Sequence, residues 1–201
     1  MFVAIGFMFV NNMSLMLRPE IFLEKYQASA MGWHLNLGDP TLFPRFLHML
    51  TGALAVTGMI VAVYGMIKQR SDEPYGRWLM KYGSLWFVVP TVVTILFGLW
   101  WLIALPREVM LQFMGQDMLA TVALGLGILF ALGALMMMVM AIQAQNPAGL
   151  IRGSAITLLI TLVFMILMRD RIRAASLEMA GYEPVGWVDP QWGILIVFLL
   201  L

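Results

Sequence analysis

The stretch MLATVALGLGILFALGALMMMVMAI, residues 118–142, contains neither a charged residue nor a proline. Water would not tolerate such a segment uncovered, but a bilayer would. A helix rises ~1.5 Å per residue, so about 20 apolar residues cross the ~30 Å hydrocarbon layer. On either side of this stretch, similar runs occupy 46–67, 84–105 and 153–168, each bounded by charge, proline or glycine. Their apolar residues are continuous rather than alternating, which excludes a membrane barrel of short strands. The expected fold is an all-α, polytopic transmembrane helix bundle with four full spans, forming a single domain over 1–201. The whole chain agrees, being 62% hydrophobic and 11% charged with a mean hydropathy of +0.89, against roughly 25% charged in soluble domains. The lipid bilayer is the first partner this predicts.

Both ends carry half a span. Residues 1–10 are apolar up to Asn11 and Asn12, and 193–201 are apolar to the last residue. They read as partial helices, pieces of longer ones, either because the chain is incomplete or because its ends pack into a partner. The first lacks the basic region and small-residue cleavage site of a secretory signal. The connection 11–45, with Pro19, Gly38, Asp39, Pro40 and Pro44, must lie in water or against protein, because lipid satisfies no backbone groups. Its side of the membrane is here named X. Counting crossings, 68–81 lies on the opposite face Y, 106–117 on X, 143–152 on Y and 169–192 on X. Lys68, Arg70, Arg77, Lys81 and Arg152 make Y the denser in positive charge. Arg18, Lys25, Arg45, Arg107, Arg169, Arg171 and Arg173 make X the richer in total. Density favours Y as the cytoplasmic side. Trp86, Trp100, Trp101, Trp187 and Trp192, near span ends, read as an interfacial aromatic belt.

A formal net charge of +1 and no basic run longer than two residues argue against a nucleic-acid partner. The absence of cysteine excludes disulfides, thiolate-ligated iron–sulfur clusters and covalent haem attachment within the chain. Acidic residues lie in loops or at span ends, as Asp117 does, which weakens a proton relay or an ion-coupled transporter. Any metal chemistry therefore falls to histidine, methionine or carboxylate.

There are two histidines. His34 reads as a solvated loop residue, whereas His48 sits just inside a span, where an imidazole is costly unless hydrogen-bonded or ligated. Gly52 and Ala55 follow on its helical face and leave room for a flat macrocycle or for a close helix. Thr51, Gly58 and Gly65 form a second small stripe that reads as helix packing. Haem b iron takes axial donors on both sides of the ring, so a second donor must come from another helix at the same depth. Met118 opens its span on face X, as His48 does, while Met136, Met137, Met138 and Met140 lie toward Y and read as core filler. Arg45, one turn before His48, is placed to pair with a haem propionate or to snorkel to the interface.

The segment Gly38-Asp39-Pro40-Thr41-Leu42-Phe43-Pro44-Arg45-Phe46-Leu47-His48 resembles subunit I of the cytochrome bd quinol oxidases. There an "NPxxFxRFxH" segment leads into a helix whose histidine ligates the low-spin haem b. Asn11-Asn12-Met13-Ser14 is similar to the "NSFMQ"-like end of that family's preceding helix, and the likeness extends over residues 1–105. It implies Met118 as the second ligand, in a context like "RIM" before a glycine-rich run, here Gln116-Asp117-Met118 before Gly125-Leu126-Gly127. The family's arginine is Gln116 here, which shifts the propionate role to Arg45 or Arg107. About a dozen residues stand where the family has its long quinol-binding loop, and the helices that ligate the oxygen-reducing haems have no counterpart. The resemblance therefore implies a subunit with one low-spin haem b, its iron on His48 and Met118, with Arg45, Gly52 and Arg107 about the ring and without its own oxygen-reducing site. It would pass electrons between quinol and other redox subunits, a cytochrome among them, within a quinol-linked oxidoreductase of a bacterial or archaeal cytoplasmic membrane. X would be the outer face. A competing expectation is a cofactor-free structural subunit of a larger membrane complex, in which His48 only hydrogen-bonds across helices. A transporter comes third.

Overall fold

The computed structural model describes residues 1–29, 31, 33–182, 193 and 196. It contains α1 (Phe2–Met16), α2 (Pro19–Ala28), α3 (Leu42–Lys68), α4 (Glu73–Ala104), α5 (Arg107–Leu111), a π-helical turn (Gln112–Gln116), α6 (Met118–Gln143) and α7 (Ala148–Met179). No strand occurs among the described residues. The fold is all-α. Four helices, α3, α4, α6 and α7, are long and apolar enough to cross a membrane. Only 17–22% of their most apolar windows is buried inside the protein. Residues such as Ile60, Leu96, Leu129, Leu159 and Ile166 are exposed on their flanks, and burying them in acyl chains removes that surface from water.

Two spans run further than the hydropathy pattern predicts. α4 begins at Glu73 instead of 84, capped by Asp72, whose side chain accepts from the Tyr75 backbone N–H. α7 continues to Met179 instead of 168. At 32 residues each they reach about 48 Å at ~1.5 Å per residue, so both project beyond the hydrocarbon. Charged residues end a hydrophobic run without ending a helix, since the arginines at 169, 171 and 173 are good helix formers. The part of 169–192 read as connection is helix as far as Met179.

The N-terminal half-span also differs. α1 passes through Asn11 and Asn12 to Met16 and turns by 115° into α2. Asn11 does not break the helix because its side chain has partners outside it: Asn36 N–H donates to Oδ1 at 2.7 Å and Nδ2 donates to the His34 carbonyl at 3.2 Å. Pro19 in the first turn of α2 and Glu20 beside it are ordinary N-terminal residues. No residue of α2 is buried, and Phe22, Leu23 and Tyr26 are exposed, as in a helix lying at the interface. The apolar run 193–201 lies outside the described residues except for Gly193 and Ile196.

α3 and α4 form an antiparallel hairpin whose packing is dictated by glycine. Gly58 and Gly65 on α3, and Gly76 and Gly83 on α4, recur at heptad spacing. A methyl group at Gly58 would fall on the backbone of Trp86 and Phe87, and one at Gly83 on the Ala62 nitrogen and Gly58 carbonyl. Such backbone contact is the membrane form of close helix packing. The second small stripe of the sequence thus serves helix packing. α6 and α7 pair beside this hairpin. Ala55, Met59, Ala62, Met80, Phe87, Ala134, Met138 and Ile151 make one core, and Ser154 Oγ donates to the Ala134 carbonyl at 2.9 Å. Toward face X a second core joins Leu105, Val109, Phe113, Ala120, Ile172 and Ala175. Within the π turn Gly115 has a φ of 112°, a left-handed conformation that favours glycine. Asp117 then caps α6 by accepting from the N–H groups of Leu119 (2.8 Å) and Ala120 (3.2 Å).

Candidate functional site

His48 lies one and a half turns into α3 and faces α4. Its Nδ1–H donates to the Thr94 carbonyl at 2.9 Å. A carbonyl only accepts, so the shared proton sits on Nδ1, and in the neutral ring the lone pair is left on Nε2. That carbonyl is within reach because of Gly98, four residues on: a Cβ there would stand 3.0 Å from the imidazole Cε1 and Nδ1. The Trp101 ring, one further turn along, lies 5.9 Å from the imidazole. Thr94, Gly98 and Trp101 thus form one stripe of α4, spaced i, i+4 and i+7, dedicated to this histidine. Thr94 Oγ1 also donates to Thr51 Oγ1 at 2.7 Å, tying the helices together one turn deeper.

Arg45 is buried, at 3% exposure. Its Nη2 donates to Thr41 Oγ1 at 3.3 Å, its guanidinium lies 5.1 Å over the Trp101 ring, and its Nε has no partner. The Trp101 indole N–H is likewise buried and unpartnered. Trp101 is therefore not part of the interfacial belt; it sits between Arg45 and His48. Trp86 and Trp100, both exposed, keep the belt reading, while Trp187 and Trp192 lie outside the described residues. Gly52 faces α4, where a Cβ would meet Thr94 Cγ2 at 3.8 Å. Arg107 is exposed at the start of α5.

Met118 is the first residue of α6 and is 81% exposed. α4 packs against both α3 and α6, and these two make no comparable interface with each other. The described structure brings His48, Arg45 and Gly52 to one place and leaves Met118 and Arg107 open at the same face of the bundle. Among the described residues no group of three or more His, Asp or Glu side chains could hold a metal ion.

His34 is not merely solvated. Its Nε2 lies 2.9 Å from Asn12 Oδ1, and its carbonyl accepts from Asn11. It borders a buried polar network of Asn11, Ser14, Asn36, Asp39 and Thr41 that the sequence did not reveal. Asn36 Nδ2 donates to Ser14 Oγ (3.3 Å) and Asp39 Oδ2 (3.4 Å), and Asp39 Oδ1 accepts from Thr41 N–H and Oγ1, both at 2.8 Å. The chain from Asn11 to Arg45 therefore runs through hydrogen-bonded side chains. Between α1, α2 and the face X ends of α4 and α7 it leaves a partly open cavity of about 270 Å³, whose polar lining includes Arg18, Glu20, Asp39, Thr41, Arg45 and Ser176.

The residues around His48 that the sequence did not single out are Thr94 and Gly98, while Trp101 was read as part of the belt. Their helical spacing could have pointed to them, but only once α4 was known to face His48. The sequence matches no family model, and neither a curated protein nor a solved structure matches the chain.

Proposed function

We propose that the chain is a haem b-binding electron-transfer subunit of a respiratory-type membrane complex, similar to part of cytochrome bd subunit I and without its own oxygen-reducing site. The observation that carries this reading is the tautomer of His48. A histidine that ligates iron through Nε2 donates its Nδ1–H to a carbonyl or carboxylate, which fixes the ring and raises its basicity. The Thr94 carbonyl supplies that contact, and Nε2 has no hydrogen-bond partner among the described residues. Fit to the group is further supported by a buried, unpartnered donor beside the imidazole, Trp101 Nε1, which lacks an acceptor such as a carboxylate.

On this reading His48 and Met118, the latter 81% exposed, would hold the iron. Arg45 or Arg107 pairs with the propionates, and Gly52 keeps the α3 surface low. The haem supplies single-electron redox chemistry, and the chain's own residues orient it and exclude water from it. Quinol as donor, other redox subunits as partners and a bacterial or archaeal cytoplasmic membrane as location follow from the family likeness alone. The test is a dithionite-reduced minus oxidised spectrum of the purified chain. A b-type band is expected, absent in His48→Ala and shifted in Met118→Leu. A wild-type chain without the band, after reconstitution with haemin, sinks the proposal.

A second reading, a cofactor-free structural subunit, draws on the same contact. The Nδ1–H to Thr94 bond also satisfies an imidazole with no metal present. His48→Gln separates the two: an amide keeps a donor for Thr94 but is a poor iron ligand. Unchanged assembly and no pigment in either form favour the scaffold.

A further inference from the structure

The cavity beneath α2 shares only Arg45 with the reading above. It is placed where α1 bends into α2, where α3 begins, where α4 ends at Leu105 and Pro106, and where α7 ends at Met179 and Ala180. Leu105 marks the end of an apolar span on face X, and the charged continuation of α7 overhangs it there. The wall is of two kinds: Leu17, Ile21 and Met179 on one side, and charged groups on the other. Among the latter, Arg45 is 97% buried by its 3% exposure and yet has an unpartnered Nε. Such a donor is rare in native proteins and calls for an acceptor. Arg18 stands beside it, with its Nη2 3.9 Å from Asp39 Oδ1, too long for a closed ion pair. Asp39 itself is turned toward Thr41 and Asn36.

The charges that line the cavity balance: Arg18 and Arg45 against Glu20 and Asp39. A simple anion would satisfy the guanidiniums but leave the carboxylates facing added negative charge. A group carrying both a phosphodiester and a primary ammonium meets both halves. We propose that this cavity binds the headgroup of a membrane phospholipid of the phosphoethanolamine type. The phosphodiester oxygens accept from Arg45 and Arg18, the ammonium donates toward Glu20 with the charge of Asp39 behind it, and the acyl chains leave along the apolar wall. The volume, about 270 Å³, suits a small headgroup, water occupying about 30 Å³ in the liquid. The inference does not depend on haem. Thr41 takes one of the five N–H groups of Arg45, leaving donors for a propionate as well.

Native mass spectrometry of the full-length chain in detergent, titrated with dioleoyl phosphatidylethanolamine, phosphatidylglycerol, phosphatidylcholine and soluble O-phosphoethanolamine, tests this. Phosphatidylethanolamine should be retained most tightly. Phosphatidylcholine, whose quaternary nitrogen donates no hydrogen bond, and phosphatidylglycerol, which has no cation, should be weaker. Arg45→Gln should lower retention about tenfold, the loss of a charge-assisted hydrogen bond. Should that variant fail to fold, Arg18→Gln, at the edge of the cavity, should give a loss in the same direction. Equal retention of the three lipids, retention unchanged in Arg18→Gln, or soluble O-phosphoethanolamine binding as tightly as the lipid would each overturn the proposal. The haem spectrum of Arg18→Gln should remain that of wild type, so failure here and failure of the haem reading are distinguishable.

Discussion

The two ends of the α3–α4 hairpin are built from opposite materials. Toward face Y the helices touch backbone to backbone, because Gly58, Gly65, Gly76 and Gly83 carry no side chain to hold them apart. Toward face X the same helices meet through His48, Arg45, Trp101 and a pair of threonines, and beyond them lies a buried polar network. A dry glycine seam has no group with which to bind anything, and its tolerance for change is low. The polar end costs desolvation, which is offset only where each donor finds an acceptor. Two buried donors there, Arg45 Nε and Trp101 Nε1, have none.

The contrast predicts a graded series of effects. The largest belongs to the seam: Gly58→Val drives a side chain into the backbone of α4 and should destabilise by about 3 kcal/mol, the upper end of overpacking costs, read as thermal unfolding in detergent. Gly125→Ala, where a Cβ meets nothing within 4 Å, should be neutral, and equal effects at the two sites would refute the seam. Next comes the polar network. Asn11→Leu strips an acceptor from the Asn36 N–H and a donor from the His34 carbonyl and should cost about 1–3 kcal/mol, with faster proteolysis between α2 and α3. Gly98→Ala should move the imidazole off Thr94, lowering haem retention in the reconstituted chain with a smaller change in unfolding temperature. Asp117→Ala removes the α6 cap and a 3.4 Å contact with Arg171 Nε, for about 1 kcal/mol. The smallest effect lies on face Y, where Glu73 and Arg77 pair in the open. Arg77→Ala there should change stability by less than about 0.5 kcal/mol.

Reading from hydropathy worked best where lipid alone sets the rule. α6 begins at Met118 as expected and ends one residue beyond the predicted 142, because Asp117 and the connection Ala144–Pro147 punctuate it on both sides. It worked less well where helices leave the membrane. The charged continuation of α7 and the amphipathic start of α4 carry helix propensity but no hydrophobic signal. Of the candidate site, His48 was conspicuous because an imidazole stands out in an apolar run, and Arg45 because it lies one turn before it. Thr94 and Gly98 were hidden, for threonine and glycine are common in any span, and Trp101 read as part of the aromatic belt. Asn11 misled, reading as a helix end when its polar group is consumed by a distant loop.

Composition and periodicity alone dictate that this chain enters a bilayer as helices, because an uncharged stretch of spanning length has no other place where both its side chains and its backbone are satisfied. They also dictate which helices can approach closely, since a glycine at heptad spacing has nothing to keep a neighbour away. Which residues meet across those helices is a property of three dimensions. Only the packed hairpin places the Thr94 carbonyl opposite His48 and so selects the nitrogen that keeps its lone pair, and only the folded X face gathers Arg18 and Arg45 about one cavity. Hydrogen bonds between residues 46 positions apart depend on how helices are set side by side, and a one-dimensional pattern carries no record of that.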